Sequence, residues 1–264
     1  MIGLGTYAYF WQHSSEVPEP LSLIDALEDT RAQGVELFQI CDYASLLTMS
    51  ARELADAAAA ARDLGVRIEL GTKGVGAELL TSFLRLADVF DARLVRSMLY
   101  GPDSRPTLAQ AEESLRAVIG DYERAGVDLA LETYEQVSTA DLVGVVSRVD
   151  SANLGVCLDP ANVVARLENP RDCVELAAPF VRNVHVKDFA FARMPGWVGF
   201  TYGGAPMGDG LHDYDHLLHT VRPRERGVNE IVEHWLSWQG DPETTIRTER
   251  EWTRITLEHL RSTS

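Results

Sequence analysis

Basic residues are in short supply. Lys and Arg total 24 against 40 Asp and Glu, a formal charge of −16, and such a surface repels phosphate backbones and anionic lipid over most of its area. No nucleic-acid or membrane partner is expected. Cysteine is scarcer still: Cys41, Cys157 and Cys173 are odd in number, and Cys157 lies inside an apolar strand pattern. Buried free thiols in a reducing compartment fit this better than a disulfide framework. No apolar run approaches membrane-spanning length, and Met1-Ile2-Gly3-Leu4-Gly5 runs straight into a strand-like segment without a charged leader. A cytoplasmic protein is expected. A phosphate cradle is missing too, because the glycines of residues 71–76 match neither the P-loop nor the dinucleotide spacing.

What is present is a repeated β/α plan. With 264 residues, 45% of them hydrophobic, the chain can bury a sizeable core, and a barrel of about 250 residues commonly forms one domain. Strand-like runs start near residues 2, 35, 67, 94, 128, 154, 183 and 230, about one β/α unit apart until a longer last gap. Helix starts fall between them. Ser50 with Glu53, and Thr107 with Gln110, read as capping boxes, Ser138 precedes Asp141, and Asp241-Pro242 opens the closing helix. Gly34, Gly65 and Gly126 stand where left-handed caps end helices. The expected fold is α/β, a (β/α)8 TIM barrel, as a single domain over residues 1–264, with its site at the carboxyl ends of the strands.

Four of those ends carry chemistry. Runs five, six and eight finish on Glu132, Asp159 and Glu233, and run seven, Val-Arg-Asn-Val-His-Val-Lys-Asp-Phe, places Asn183, His185 and Lys187 on one face by strand alternation. An open sheet would spread these ends, whereas a barrel brings them together. Three carboxylates and one imidazole suit a single divalent ion, Mn, Mg or Co, and permit Zn. The aromatics Tyr7, Tyr9, Phe10 and Trp11 after the first strand can wall a pocket. Residues 189–210, rich in glycine and aromatics including Trp197, read as a lid loop.

The runs Leu-Ala-Leu-Glu132, Val-Cys-Leu-Asp159, Val-His185-Val-Lys-Asp, Gly-Asp-Gly-Leu-His-Asp213 and Ile-Val-Glu233 resemble the sugar phosphate isomerase/epimerase family of xylose-isomerase-like barrels. That resemblance implies that Glu132, Asp159, His185 and Glu233 bind one metal and that Glu132 and Glu233 also serve as acid and base. It implies a small carbohydrate substrate and often a homodimer. The sequence departs from the family at two substrate contacts: Asn162 replaces a histidine three residues after the aspartate, and Phe191 an arginine six after the histidine. Lys187 or Arg193 would then supply the cation. The first expectation is isomerisation or epimerisation of a keto-sugar through an enediolate. The second is a lyase or decarboxylase acting on a 3-oxo sugar acid or glycoside. An endonuclease of the same fold needs more histidines and a cationic face, which this chain lacks.

Overall fold

A computed structural model of the chain describes residues 1–43 and 45–263. In order it contains β1 (Ile2–Gly5), α1 (Leu23–Ala32), β2 (Leu37–Cys41), α2 (Ala51–Leu64), β3 (Arg67–Gly71), α3 (Ala77–Phe90) and β4 (Leu94–Ser97). Then follow α4 (Leu108–Ala125), β5 (Asp128–Glu132), α5 (Thr139–Val149), β6 (Leu154–Leu158), α6 (Pro170–Ala177) and β7 (Val181–Val186). The remainder is β8 (Asp188–Arg193), β9 (Phe200–Ala205), α7 (Tyr214–Val221), α8 (Pro223–Arg226), β10 (Asn229–Val232) and α9 (Pro242–Ser262). Eight of the strands close into a parallel barrel in the order β1-β10-β7-β6-β5-β4-β3-β2. Closure abolishes the sheet edges, so each strand has two hydrogen-bonded neighbours.

The expected caps form. Ser50 and Thr107 each accept a side-chain bond from the backbone N–H three residues on, and their own backbone N–H groups donate to the side-chain oxygens of Glu53 and Gln110. Gly65 and Gly126 take the left-handed conformation, at φ 68° and 64°, that lets the chain turn into the next strand. Apolar helix faces, such as Leu115, Val118 and Tyr122 of α4, bury against the outward residues of the strands. This burial, at about 25 cal/mol per Å2, supplies most of the driving force.

The segment read as a lid loop has a different form. Residues 188–205 make an antiparallel hairpin, β8 paired with β9 from Asp188↔Ala205 to Arg193↔Phe200. The barrel strand β7 therefore ends at Val186, short of Phe189. Asp188 ties the return of the hairpin to the barrel by accepting the backbone N–H groups of Phe189, Gly208, Gly210 and His212. A Cβ on Gly210 would meet the Asp188 carboxylate at 2.1 Å, so this approach requires glycine.

The first loop is held by the last helix. Buried Glu249 of α9 accepts from Trp11 N at 2.8 Å, Gln12 N at 3.2 Å and Gln12 Nε2 at 3.1 Å. Burial outweighs these donors and pushes its carboxyl up to about 7. A carboxyl raised on folding stabilises the native state fully below its unfolded value near 4.5, and that contribution is lost as pH rises through 7. The swing is about 3 kcal/mol. Melting temperature measured from about pH 5 to pH 8 is expected to fall in the wild type relative to Glu249→Gln; parallel profiles would refute this role for Glu249.

Candidate active site

Glu132 closes β5, Asp159 follows β6, His185 lies on β7 and Glu233 follows β10. Strand alternation turns all four inward at the carboxyl ends, and all are buried. His185 Nδ1 lies 3.4 Å from Glu132 Oε1, 3.2 Å from Glu233 Oε1 and 3.9 Å from Asp159 Oδ2. The four side chains meet at one place.

Each is held by a hydrogen bond with its surroundings. Asn162 Nδ2 donates to Glu132 Oε1 at 2.8 Å, the backbone N–H groups of Ala161 and Asn162 donate to Asp159 Oδ1, Lys187 Nζ donates to Glu233 Oε2 at 3.0 Å, and His185 Nε2 bonds Gln39 Oε1 at 2.8 Å. Among the described residues, Glu233 Oε1 and His185 Nδ1 are buried without a hydrogen-bond partner, whereas Glu132 Oε2 and Asp159 Oδ2 are ion-paired with Arg96 Nε and Lys187 Nζ, at 2.6 Å each. A buried acceptor left without a partner costs about 1–3 kcal/mol. Two triads that share His185, one with Glu132 and Asp159 and one with Cys41 and Glu233, could each hold a metal ion, and together their carboxylates and imidazole are a donor set that fits a divalent ion. Cys41 Sγ, grouped with His185 and Glu233, borders it on one side.

Two buried cations flank the cluster. Arg96 Nε lies 2.6 Å from Glu132 Oε2, an ion pair whose angle is too poor for a hydrogen bond. Lys187 Nζ lies 2.6 Å from Asp159 Oδ2 and 4.5 Å from the centre of the Trp235 ring. Burial alone would raise Glu132, but Arg96, His185 and Lys187 together hold its carboxyl well below the usual range. Burial pushes Asp159 up, to about 6, against the pull of Lys187. Burial would lower Lys187, yet Asp159, Glu233 and Glu132 raise it, so it is an ammonium.

Above the cluster lies a small cavity of about 40 Å3, lined by Glu132, Asn162, Lys187 and Glu233 together with Tyr7, Asp42, Lys73, Arg96, Tyr134 and Trp235. Asp42 joins Tyr7, at 2.9 Å, to Lys73, at 3.2 Å, and to Arg96, at 3.3 Å. Tyr7 and Asp42 also border a wider cavity reaching Phe10, His13 and Tyr43, so the aromatic first loop walls a pocket.

Of the residues proposed for substrate, Asn162 and Lys187 stand in this site. Arg193 and Trp197 stand on the far end of the hairpin, where Trp197 is 77% exposed and Arg193 packs over the Trp197 and Phe200 rings. The base of the hairpin reaches the site through another aromatic: Tyr202 donates to Ala161 O at 2.6 Å and packs edge-on against Trp235. If the hairpin closes over substrate, Trp197→Ala lowers turnover with melting temperature unchanged. Kinetics identical to wild type would confine any lid function to the Tyr202 end.

Sequence reasoning passed over Arg96, Asp42, Tyr134 and Trp235. Arg96 did leave a signal, an arginine within the strand-like run Leu94-Val95-Arg96-Ser97, where an interior charge needs a partner. Asp42 follows β2 in the same way that Asp159 follows β6.

Known proteins share the fold. The chain is 50% identical over 259 residues to the 3-oxo-isoapionate decarboxylase of Pectobacterium atrosepticum, covering 98% of this chain and 94% of that one. Among solved structures, D-psicose 3-epimerase from Clostridium cellulolyticum H10, determined with D-tagatose, superposes with a TM-score of 0.75 at 15% identity, over 99% of this chain and 98% of that one. A magnesium complex of a xylose isomerase-like barrel from Mycobacterium smegmatis gives 0.71 at 15% identity, over 96% and 95%. At such identities the two structures speak to the fold alone. No helix among the described residues is long and apolar enough to cross a membrane. Residues 24–256 match the Xylose isomerase-like TIM barrel family, and the chain belongs to that family.

Proposed function

We propose that the chain is a metal-dependent decarboxylase of a 3-oxo sugar acid. The observation that carries this reading is the pair of buried cations, Arg96 and Lys187, beside the three ligand carboxylates. Three carboxylates against two cations leave one net negative charge, which a divalent ion would turn into one net positive charge. A site of that charge suits an anionic substrate better than a neutral ketose. The decarboxylase relative, similar over nearly the whole chain, supports the same choice.

Glu132, Asp159, His185 and Glu233 would hold the ion, with Mn, Mg or Co suited to the oxygen-rich set and Zn permitted. When bound, the ion supplies a Lewis acid that polarises the 3-oxo group. Lys187 and Arg96 orient the substrate through its carboxylate and hydroxyl oxygens. The bond between the carboxyl carbon and its neighbour then breaks. Carbon dioxide leaves, and the electron pair moves into an enolate whose oxygen carries the charge. One proton delivered to carbon restores the ketone and completes the balance.

The two glutamates are not equivalent in this task. Glu132 faces an arginine, which does not give up its proton, whereas Glu233 shares a 3.0 Å hydrogen bond with a lysine, which can. Only the Glu233–Lys187 side can readily pass a proton. Decarboxylation needs one such side; epimerisation needs a base and an acid on opposite faces. Asn162, in place of a titratable histidine, adds no second proton carrier and instead holds Glu132.

The test compares a 3-oxo sugar acid with the neutral ketose of the same carbon skeleton, using enzyme stripped of metal and then reloaded with Mn. Carbon dioxide release from the acid only after reloading is the expected result. Turnover of the ketose with no release from the acid would return the reading to an epimerase.

A further inference from the structure

We propose that Glu69, acting through Gln39, is a positioning group that sets which nitrogen of His185 faces the carboxylates. The proposal rests on the reading of His185 as a metal ligand and adds what fixes that ligand's tautomer. Glu69 on β3 and Gln39 on β2 are register partners inside the barrel, and both are buried. Glu69 Oε2 accepts from Gln39 Nε2 and from Asn183 Nδ2, each at 3.0 Å, and Oε1 accepts from Asn229 Nδ2 at 2.6 Å. All three partners are side-chain amide N–H groups, so the carboxyl group serves as the acceptor, while burial, partly offset by these donors, pushes its pKa up.

An acceptor held in this way dictates direction. An amide has one donor end and one acceptor end, so Gln39, with its NH2 held by Glu69 and by Asn183 Oδ1 at 3.1 Å, must turn its oxygen toward His185. That oxygen accepts from His185 Nε2 at 2.8 Å, and also from Cys41 Sγ at 2.9 Å. An amide oxygen cannot donate, so Nε2 carries a proton. Nδ1 is therefore the nitrogen turned toward Glu132, Asp159 and Glu233, the one that a metal ion would take. The hydrogen bond on the far nitrogen of a ligating histidine fixes both its tautomer and its basicity. Here the direction originates one residue further away, in a carboxylate that contacts Gln39 rather than the ring.

Glu69→Gln tests this because it keeps the shape and removes the compulsion: a second amide can offer Gln39 either end, and Gln39 can reverse. The double variant Gln39→Glu/Glu69→Gln restores an acceptor that cannot be reversed below His185. Three measurements separate positioning from a structural role. 15N-edited NMR of metal-free protein reads proton exchange at His185 Nε2, calorimetric titration reads Mn affinity, and melting temperature reads stability. Glu69→Gln is expected to speed exchange at Nε2 and to weaken Mn binding ~10–100-fold, and the double variant to recover both. Slow exchange and wild-type affinity in a folded Glu69→Gln, or a folded double variant that recovers neither, would overturn the proposal. Should Glu69→Gln fail to fold, the double variant decides on the same two readouts. Should the wild type take up no Mn, the metal reading fails, and exchange at Nε2 in metal-free protein still decides the role of Glu69.

Discussion

Asp159→Ala and His185→Ala are each expected to abolish binding of a single divalent ion and to reduce turnover to background. Each removes one of the four donors gathered around His185 Nδ1 and leaves an incomplete ligand set. Loss of an outer partner of a ligand costs about 10–100-fold in affinity, and loss of a ligand itself should exceed that range. Elemental analysis of purified protein and calorimetric titration with Mn would check it. A variant that keeps one ion per chain at wild-type affinity would remove that residue from the ligand set.

Lys187→Met should give a different pattern. Its ammonium touches two of the ligand carboxylates, so removing it leaves them freer to hold a divalent cation, and metal binding is expected to persist. Turnover is expected to fall by ~10²–10³, the usual loss when a charge-stabilising donor leaves a water-poor site. Metal binding retained with activity lost is the outcome that assigns Lys187 to the substrate. Activity near the wild-type value would leave Arg96 as the cation that matters, and simultaneous loss of ion and activity would make Lys187 a support for the ligands.

The barrel was legible because its signals are local. Capping residues three apart, glycines at helix ends and apolar runs one β/α unit apart depend on nearby positions, and each matches the structure to within a few residues. Glu132, Asp159, His185 and Glu233 were legible for a related reason: an acid or imidazole ending a strand points to the barrel axis wherever the barrel closes. The hairpin was misjudged although Phe189-Ala190-Phe191-Ala192 alternates as a strand does, because Pro195, Gly196 and Gly199 weighed the segment toward loop. Arg96 and Asp42 were missed because their meaning is non-local. Only the adjacency of β4 to β5 places Arg96 against Glu132, and only the neighbour order of β1, β2, β3 and β4 lets Asp42 join Tyr7, Lys73 and Arg96.

The same non-local pairs separate the two reactions, since the ligand set alone would serve either. Deuterated water and a 3-oxo sugar acid labelled with 13C at its carboxyl carbon separate them most directly. With Mn-loaded wild-type enzyme the label should leave as carbon dioxide and bicarbonate, and the product should be one carbon shorter with a single deuterium at the former carboxyl-bearing carbon. A product that keeps the labelled carbon and gains deuterium beside the ketone would contradict decarboxylation and make the chain an epimerase.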